Sequence, residues 1–236
     1  MISVCMASYN GEKYIKEQID SILIQLTGVD ELIISDDNST DDTKKIILSY
    51  NDNRIKLLSN IHETGPKGNF ETAIEQAKGE YIFLSDQDDI WFDNKISVIV
   101  PHLDKYDLVV HDACIVGKDA HSLNENYYSL FRNYSSFWGN LYKTRFLGCC
   151  MAFKKDTLKY VLPFPKRVEM HDYWIGMITS TKGKLLFVDD ILIKYRRHGN
   201  NFSPSAEKSD KTILGKMKKR VDVFFDVLAR CCKKSK

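Results

Sequence analysis

Ile2-Ser3-Val4-Cys5-Met6-Ala7-Ser8-Tyr9-Asn10-Gly11 is a short β-branched apolar run that stops in a polar turn. Ile15, Ile19, Ile22, Leu23 and Leu26 then recur at helical spacing, so the segment reads as strand, turn and helix. The theme repeats downstream. Leu32-Ile33-Ile34 runs into Ser35-Asp36-Asp37-Asn38-Ser39, and Ser39 with Asp42 reads as a capping box for a helix through Ile46, Ile47 and Tyr50. In a third pass Ile55 to Leu58 is strand, Gly65-Pro66-Lys67-Gly68 is turn, and Phe70, Ala73, Ile74 and Ala77 form the apolar stripe of a helix. Tyr81-Ile82-Phe83-Leu84 is a fourth buried strand.

Three strand–helix units ahead of a fourth apolar strand predict an α/β fold, Rossmann-like, with a mostly parallel sheet flanked by helices on both faces. Ligands of such sheets bind beyond the carboxyl ends of the strands. The polar clusters at 7–11, 35–38 and 86–89 all follow strand ends, so they are expected to converge on one crevice. After residue 90 the pattern loosens. Leu108-Val109-Val110 reads as a strand and Cys149 to Phe153 as another apolar run. The Tyr-, Asn- and Ser-rich stretch 122–143 reads as a surface loop region whose aromatics either form a lid or pack the loop onto the body.

Composition sets the outer bounds. The chain has 236 residues, 43% hydrophobic and 28% charged, with 5 prolines, as in ordinary globular proteins. A formal charge of +2 excludes a strongly basic nucleic-acid binder and hides an asymmetry, because residues 207–236 carry ten Lys and Arg against four Asp and Glu. No apolar run is long enough to span a bilayer, and the N-terminus lacks a basic leader, which points to the cytoplasm. Six cysteines in two adjacent pairs and two singles, without C-x-x-C spacing, read as buried small hydrophobes rather than a zinc site or disulfide framework.

Leu84-Ser85-Asp86-Gln87-Asp88-Asp89-Ile90-Trp91 places three carboxylates just past a buried strand, with Asp86 and Asp88 on one side in extended geometry. Two hard oxygen donors suit Mg²⁺ or Mn²⁺ with open positions for phosphate oxygens, although an acidic turn or helix cap would show the same letters. Asp36 and Asp37 close the second strand, where a carboxylate can accept hydrogen bonds from a base or ribose, and Tyr9 can stack on a base. Neither G-x-x-x-x-G-K-[ST] nor G-x-G-x-x-G follows a strand, which disfavours P-loop and dinucleotide folds.

In order and spacing, residues 2–10, the Ser35–Ser39 turn and Ser85–Trp91 resemble the family two glycosyltransferases, inverting sugar-nucleotide enzymes of GT-A fold, over roughly residues 1–205. The similarity is strongest to the rhamnosyltransferase-like bacterial branch that builds cell-surface polysaccharides. The resemblance assigns Asp86 and Asp88 to the family's D-x-D motif, with Asp88 the direct metal ligand and Asp86 nearer the ribose and diphosphate. It puts Tyr9 and the second acid of the Asp36-Asp37 pair, Asp37, in contact with the nucleotide, and places Ala7, Ser8, Asp36, Gly68 and Asn69 in the same nucleotide-sugar site.

Glu169-Met170-His171-Asp172-Tyr173-Trp174 falls where the family keeps its catalytic acid. His171 stands where Glu is usual, and Asp172 is the implied general base. Leu147-Gly148-Cys149-Cys150 resembles the family's glycine loop, in which Gly148 is expected to let backbone approach the donor sugar and acceptor. Tyr195-Arg196-Arg197-His198-Gly199-Asn200-Asn201 resembles the loop in which a His completes the metal shell, here His198, and Arg196 or Arg197 holds the diphosphate. A solvated surface cluster is the alternative reading of that segment.

The chain is thus expected to contain a glycosyltransferase domain at 1–206 and a basic helical tail at 207–236. It is expected to use a divalent cation, a UDP- or dTDP-sugar donor and a saccharide or lipid-linked acceptor, and no nucleic acid. In the tail Ile213, Met217, Val221, Phe224, Leu228 and Cys231 form an amphipathic stripe beside Lys216, Lys218, Lys219 and Arg220. That pattern suits either the cytoplasmic face of an anionic membrane or packing onto the domain. A sugar-phosphate nucleotidyltransferase and a catalytically silent sugar-nucleotide-binding module are the competing functions. The first usually carries a glycine-rich basic N-terminal loop, which residues 7–11 lack.

Overall fold

The computed structural model describes residues 1–130, 136–198 and 213–232. Three strand–helix units come first: β1 (Ile2–Ser8), α1 (Ile15–Leu23), β2 (Glu31–Asp36), α2 (Thr43–Ser49), β3 (Ile55–Ser59) and α3 (Pro66–Glu75). Then follow β4 (Tyr81–Asp86), β5 (Ile90–Trp91), α4 (Lys95–Leu103), β6 (Leu108–Val116), β7 (Ser122–Asn126), α5 (Phe137–Tyr142), β8 (Met151–Lys154) and α6 (Leu158–Val161). The last elements are α7 (His171–Lys182), β9 (Leu185–Arg196) and α8 (Ile213–Cys232).

The sheet runs β3-β2-β1-β4-β8-β6-β9-β5, with β7 added to β6. Its first four strands are parallel, as expected: Cys5 at the centre of β1 faces Ile33 of β2 on one side and Leu84 of β4 on the other. Beyond β4 the expectation of a mostly parallel sheet needs correcting. β8 is antiparallel to both β4 and β6, while β6 and β9 are parallel, so the sheet as a whole is mixed. The reason is connectivity: β8 follows the long 127–150 connection and enters the sheet between β4 and β6, separating two parallel sets.

Burial follows layer position. Every residue of β2 is buried, as a parallel strand covered on both faces requires. Ile15, Ile19 and Ile22 of α1 are buried on the stripe their spacing predicts, and Gln18, also buried there, donates to Ser85 Oγ at 2.6 Å. All six cysteines are free thiols; Cys5, Cys149 and Cys150 lie in the core.

Two local readings change. The Ser39–Asp42 capping box does not form, because Ser39 Oγ instead donates to Asp36 Oδ2 at 2.5 Å and α2 starts at Thr43 with no side-chain cap. Residues 66–68 are not turn but the first turn of α3, preceded by Gly65 at φ 105°. Gly68 lies so close to the 60–65 loop that a Cβ there would sit 2.0 Å from the Glu63 carbonyl oxygen. Gly68→Ala is therefore expected to cost about 1–3 kcal/mol by overpacking and to lower Tm by roughly 2–10 °C in a thermal melt. An unchanged Tm would show that α3 can shift away from the loop.

The 122–143 stretch is not only loop, since it carries β7 and α5, and none of its described residues lines the cavity described below. Tyr127 and Tyr128 are buried, and Tyr128 donates to the Val110 carbonyl at 2.8 Å, whereas Trp138 and Tyr142 are exposed on α5. Phe131 and Tyr134 lie outside the described residues. α8 packs on α7 and α5 and buries Val223 and Val227, and the Arg230 guanidinium donates to the Tyr160, Leu162 and Pro163 carbonyls. Its outer residues Val221, Phe225 and Leu228 stay exposed. No helix among the described residues is long and apolar enough to cross a membrane.

Candidate active site

The carboxyl ends of β1, β2 and β4 open onto one cavity of about 1130 Å³. Ala7, Ser8, Tyr9, Asp37, Asn69, Asp86, Asp88, Gly148, Asp172 and His198 line it, although they come from seven separate stretches of chain. The expected convergence of the three polar clusters is therefore what the fold produces.

At the β1–β2 end, Tyr9 is 55% exposed, with its backbone clamped by the Gln87 side chain: Tyr9 N donates to Gln87 Oε1 at 2.9 Å and Gln87 Nε2 to Tyr9 O at 2.8 Å. Asp37 faces the cavity, accepting from Asn60 Nδ2 at 2.8 Å and Gly65 N at 2.7 Å. Asp36 does not line the cavity. Its carboxylate accepts from Ser8 Oγ, Ser39 N and Ser39 Oγ, so it ties the β1 and β2 turns together beneath the cavity floor. Gly68 also lies off the wall, its role being the close approach to Glu63. Asn69 lines it and donates to the Ser8 carbonyl at 3.0 Å, while its Oδ1 is buried without a partner.

The acidic end is crowded with like charge. Burial first, then Asp89, Asp88 and Asp172, push the Asp86 carboxyl well above the usual carboxylate range. Burial and the Asp88 charge raise Asp89 to about 7, and burial lowers Lys95 to about 8. Lys95 is buried, donates from Nζ to the Cys149 carbonyl at 2.7 Å and lies over the Trp91 ring. Asp89 accepts from Arg196 N at 3.0 Å. This buried pair links the D-x-D turn to the glycine loop and to the end of β9, a role that the letters 84–95 did not reveal.

His198 reaches Asp88: Nε2 lies 2.7 Å from Oδ2, and its ring stacks on Tyr14 at 4.8 Å. Crowded carboxylates and an imidazole form a donor set that suits Mn²⁺ or Mg²⁺, and a cation would relieve their mutual repulsion. Arg196 is corrected by the structure. Its guanidinium is buried, pairs with Glu17 at 2.6 Å and donates to the Asp88 and Lys118 carbonyls, so it braces the D-x-D turn from behind instead of facing the cavity. Arg197 is likewise off the wall, its backbone N–H bonded to Val116 O. Among the described residues the lysines that line the cavity are Lys13 and Lys118, on connections with no motif to mark them.

Asp172 lies in the first turn of α7 and lines the cavity. Burial pushes its carboxyl up to about 6, against the N–H groups of Tyr173, Gly148 and Asp172 itself, which lower it. Beside it His171 is buried, stacked on Phe70 at 4.0 Å, and held by burial to a proton affinity near pH 3. Gly148 has no room for a side chain, as expected, but for a different reason: a Cβ there would lie 2.5 Å from His171 Nε2.

A half-parallel α/β sheet with an acidic, imidazole-bearing cavity at its strand ends defines a GT-A-type domain. The chain belongs to glycosyl transferase family 2, whose model matches residues 3–162. It is 30% identical, over 96% of this chain and 86% of the other, to the UDP-Glc:alpha-D-GlcNAc-diphosphoundecaprenol beta-1,3-glucosyltransferase WfgD of Escherichia coli. It is 31% identical, over 83% and 72% respectively, to the dTDP-rhamnosyl transferase RfbG of Shigella flexneri. In fold it is similar to the mannosyltransferase PcManGT of Pyrobaculum calidifontis in complex with GDP-Man and Mn²⁺, with a TM-score of 0.65 at 18% identity. That match covers the whole of this chain and 65% of the other, so the chain spans just under two thirds of that structure's length.

Proposed function

We propose that this protein is an inverting glycosyltransferase that moves a sugar from a nucleoside-diphosphate-sugar, a UDP- or dTDP-sugar, to a hydroxyl of a lipid-linked saccharide in bacterial surface-polysaccharide synthesis. The observation that carries the reading is the gathering of Asp37, Asp86, Asp88, Asp172 and His198 around one cavity. Relatives named for UDP-glucose and dTDP-rhamnose transfer support the donor class.

Tyr9 offers an exposed ring for a base and Asp37 a carboxylate for its N–H or for ribose. Asp86, Asp88 and His198 would hold a divalent cation, which supplies positive charge to the diphosphate as it leaves. Lys13 and Lys118 add cationic side chains along the wall. Asp172 takes the proton of the attacking acceptor hydroxyl, and attack opposite the leaving group inverts the anomeric centre. The test is incubation with UDP- and dTDP-sugars, Mn²⁺ and a GlcNAc-diphospho-lipid acceptor, with product linkage read by NMR. An inverted glycoside is expected. Pyrophosphate from a nucleoside triphosphate and a sugar phosphate would instead identify a nucleotidyltransferase, and donor binding without turnover a silent binding module.

The base must be ionised to act, so its raised proton affinity sets the sign of the pH dependence. With Asp172 near 6, kcat should be full above that pH and fall about tenfold per unit below it. A kcat profile level down to about pH 5 would exclude a base with this affinity.

Peripheral contact with the cytoplasmic membrane face belongs to the same proposal. Exposed Val221, Phe225 and Leu228 of α8 lie on the outer side of a helix that also carries Arg220, stacked over exposed Tyr142 of α5. Phe225→Glu should lose co-sedimentation with anionic vesicles that the unaltered protein shows; equal pelleting of both would remove this surface from the proposal.

A further inference from the structure

Asp172 does not hold its place alone. Its neighbour His171 is wedged between Phe70 of α3, on which the ring stacks at 4.0 Å, and the Gly148 backbone, with Nε2 only 2.5 Å from where a Gly148 Cβ would stand. On its other side that same Cβ position is 3.6 Å from Asp172 Cβ, so Gly148 is enclosed by both side chains. The Gly148 N–H in turn bears on the Asp172 carboxylate. Neither ring nitrogen of His171 has a hydrogen-bond partner, so the contact that the imidazole makes here is one of shape.

We propose that His171 is a positioning residue for Asp172: its ring fills the space between Phe70 and Gly148 and thereby keeps the Gly148 N–H directed at the Asp172 carboxylate. The inference rests on Asp172 being the general base. The ionisable groups of neighbouring elements that feel the charge of that carboxylate are Asp86 of β4 and Tyr127 ahead of α5. Both are left in place by changes at 171 and 148.

The experiment is a double-mutant cycle of Gly148→Ala and His171→Ala on the full chain, read by thermal melt and by the pH profile of kcat. Gly148→Ala alone should lower Tm and reduce kcat about 10²-fold, since small displacements at a reacting centre have effects of that size. Adding His171→Ala should restore much of the lost Tm, because the methyl then occupies vacated space. In His171→Ala alone the Gly148 N–H is no longer held, the carboxyl binds its proton more tightly, and the acidic limb should move up by about half a pH unit or more. The inference is overturned by strictly additive Tm changes in the cycle, or by a His171→Ala enzyme that is slower with its limb unmoved. If the Tm cycle shows coupling while no variant or parent transfers sugar, the packing stands and the functional reading fails.

Discussion

Asp172→Asn should abolish sugar transfer while leaving donor affinity within about twofold of the unaltered protein. The carboxamide has the carboxylate's shape and keeps one acceptor oxygen for the backbone N–H groups around it, so the first turn of α7 is expected to stay in place. What is lost is the capacity to accept a proton, worth roughly 10²- to 10⁴-fold for a positioned base. The surroundings of Asp172 suit that proposed role, because burial lifts its carboxyl to about 6, close to working pH, while three backbone N–H groups stop it rising further. Titration of donor nucleotide by calorimetry, alongside turnover with a lipid-linked acceptor, separates the two effects. Undiminished turnover would remove Asp172 from the mechanism. Weakened donor binding with a proportionate fall in kcat/KM would make it a donor-binding residue instead.

Asp88→Ala should have a comparably large effect by another route, and chelation of the unaltered protein should imitate it. Asp88 is the carboxylate that meets His198 at 2.7 Å, and its charge helps raise the proton affinities of Asp86 and Asp89. Removing it takes one anionic donor from the proposed cation site and relieves the repulsion that a cation would otherwise neutralise. Loss of several kcal/mol of charge stabilisation corresponds to about 10²-fold or more in kcat/KM. Metal-dependent donor binding should weaken in step with turnover, which sets this variant apart from Asp172→Asn. Activity indifferent to EDTA would end the metal assignment.

The pairing of these two variants exposes a division within the cavity. Asp86, Asp88 and His198 gather at the acidic end, the proposed place of the leaving diphosphate, and Asp172 lies in the first turn of α7, at the Gly148 side. Arg196 serves this arrangement from outside. Its ties to Glu17 and the Asp88 and Lys118 carbonyls hold the D-x-D turn against α1 and β9, which is why an arginine read as a phosphate clamp turns out to be a brace.

The amino-acid sequence alone determined the parallel half of the sheet, because β1 to β4 and their helices follow local periodicities of two and 3.6 residues. It also determined the acids that end those strands, since an α/β strand delivers whatever follows its carboxyl end to the crevice. The family resemblance points to the second of two adjacent acids, but only the tertiary structure gives the reason that it is the one facing the cavity. Asp36 is drawn under the floor by Ser8 and Ser39, while Asp37 is left on the wall. It likewise decided that Gly148 makes room for the His171 ring and that β8 inserts antiparallel beside β4. Each of these depends on a partner distant in the chain, and such contacts leave no local spacing to read.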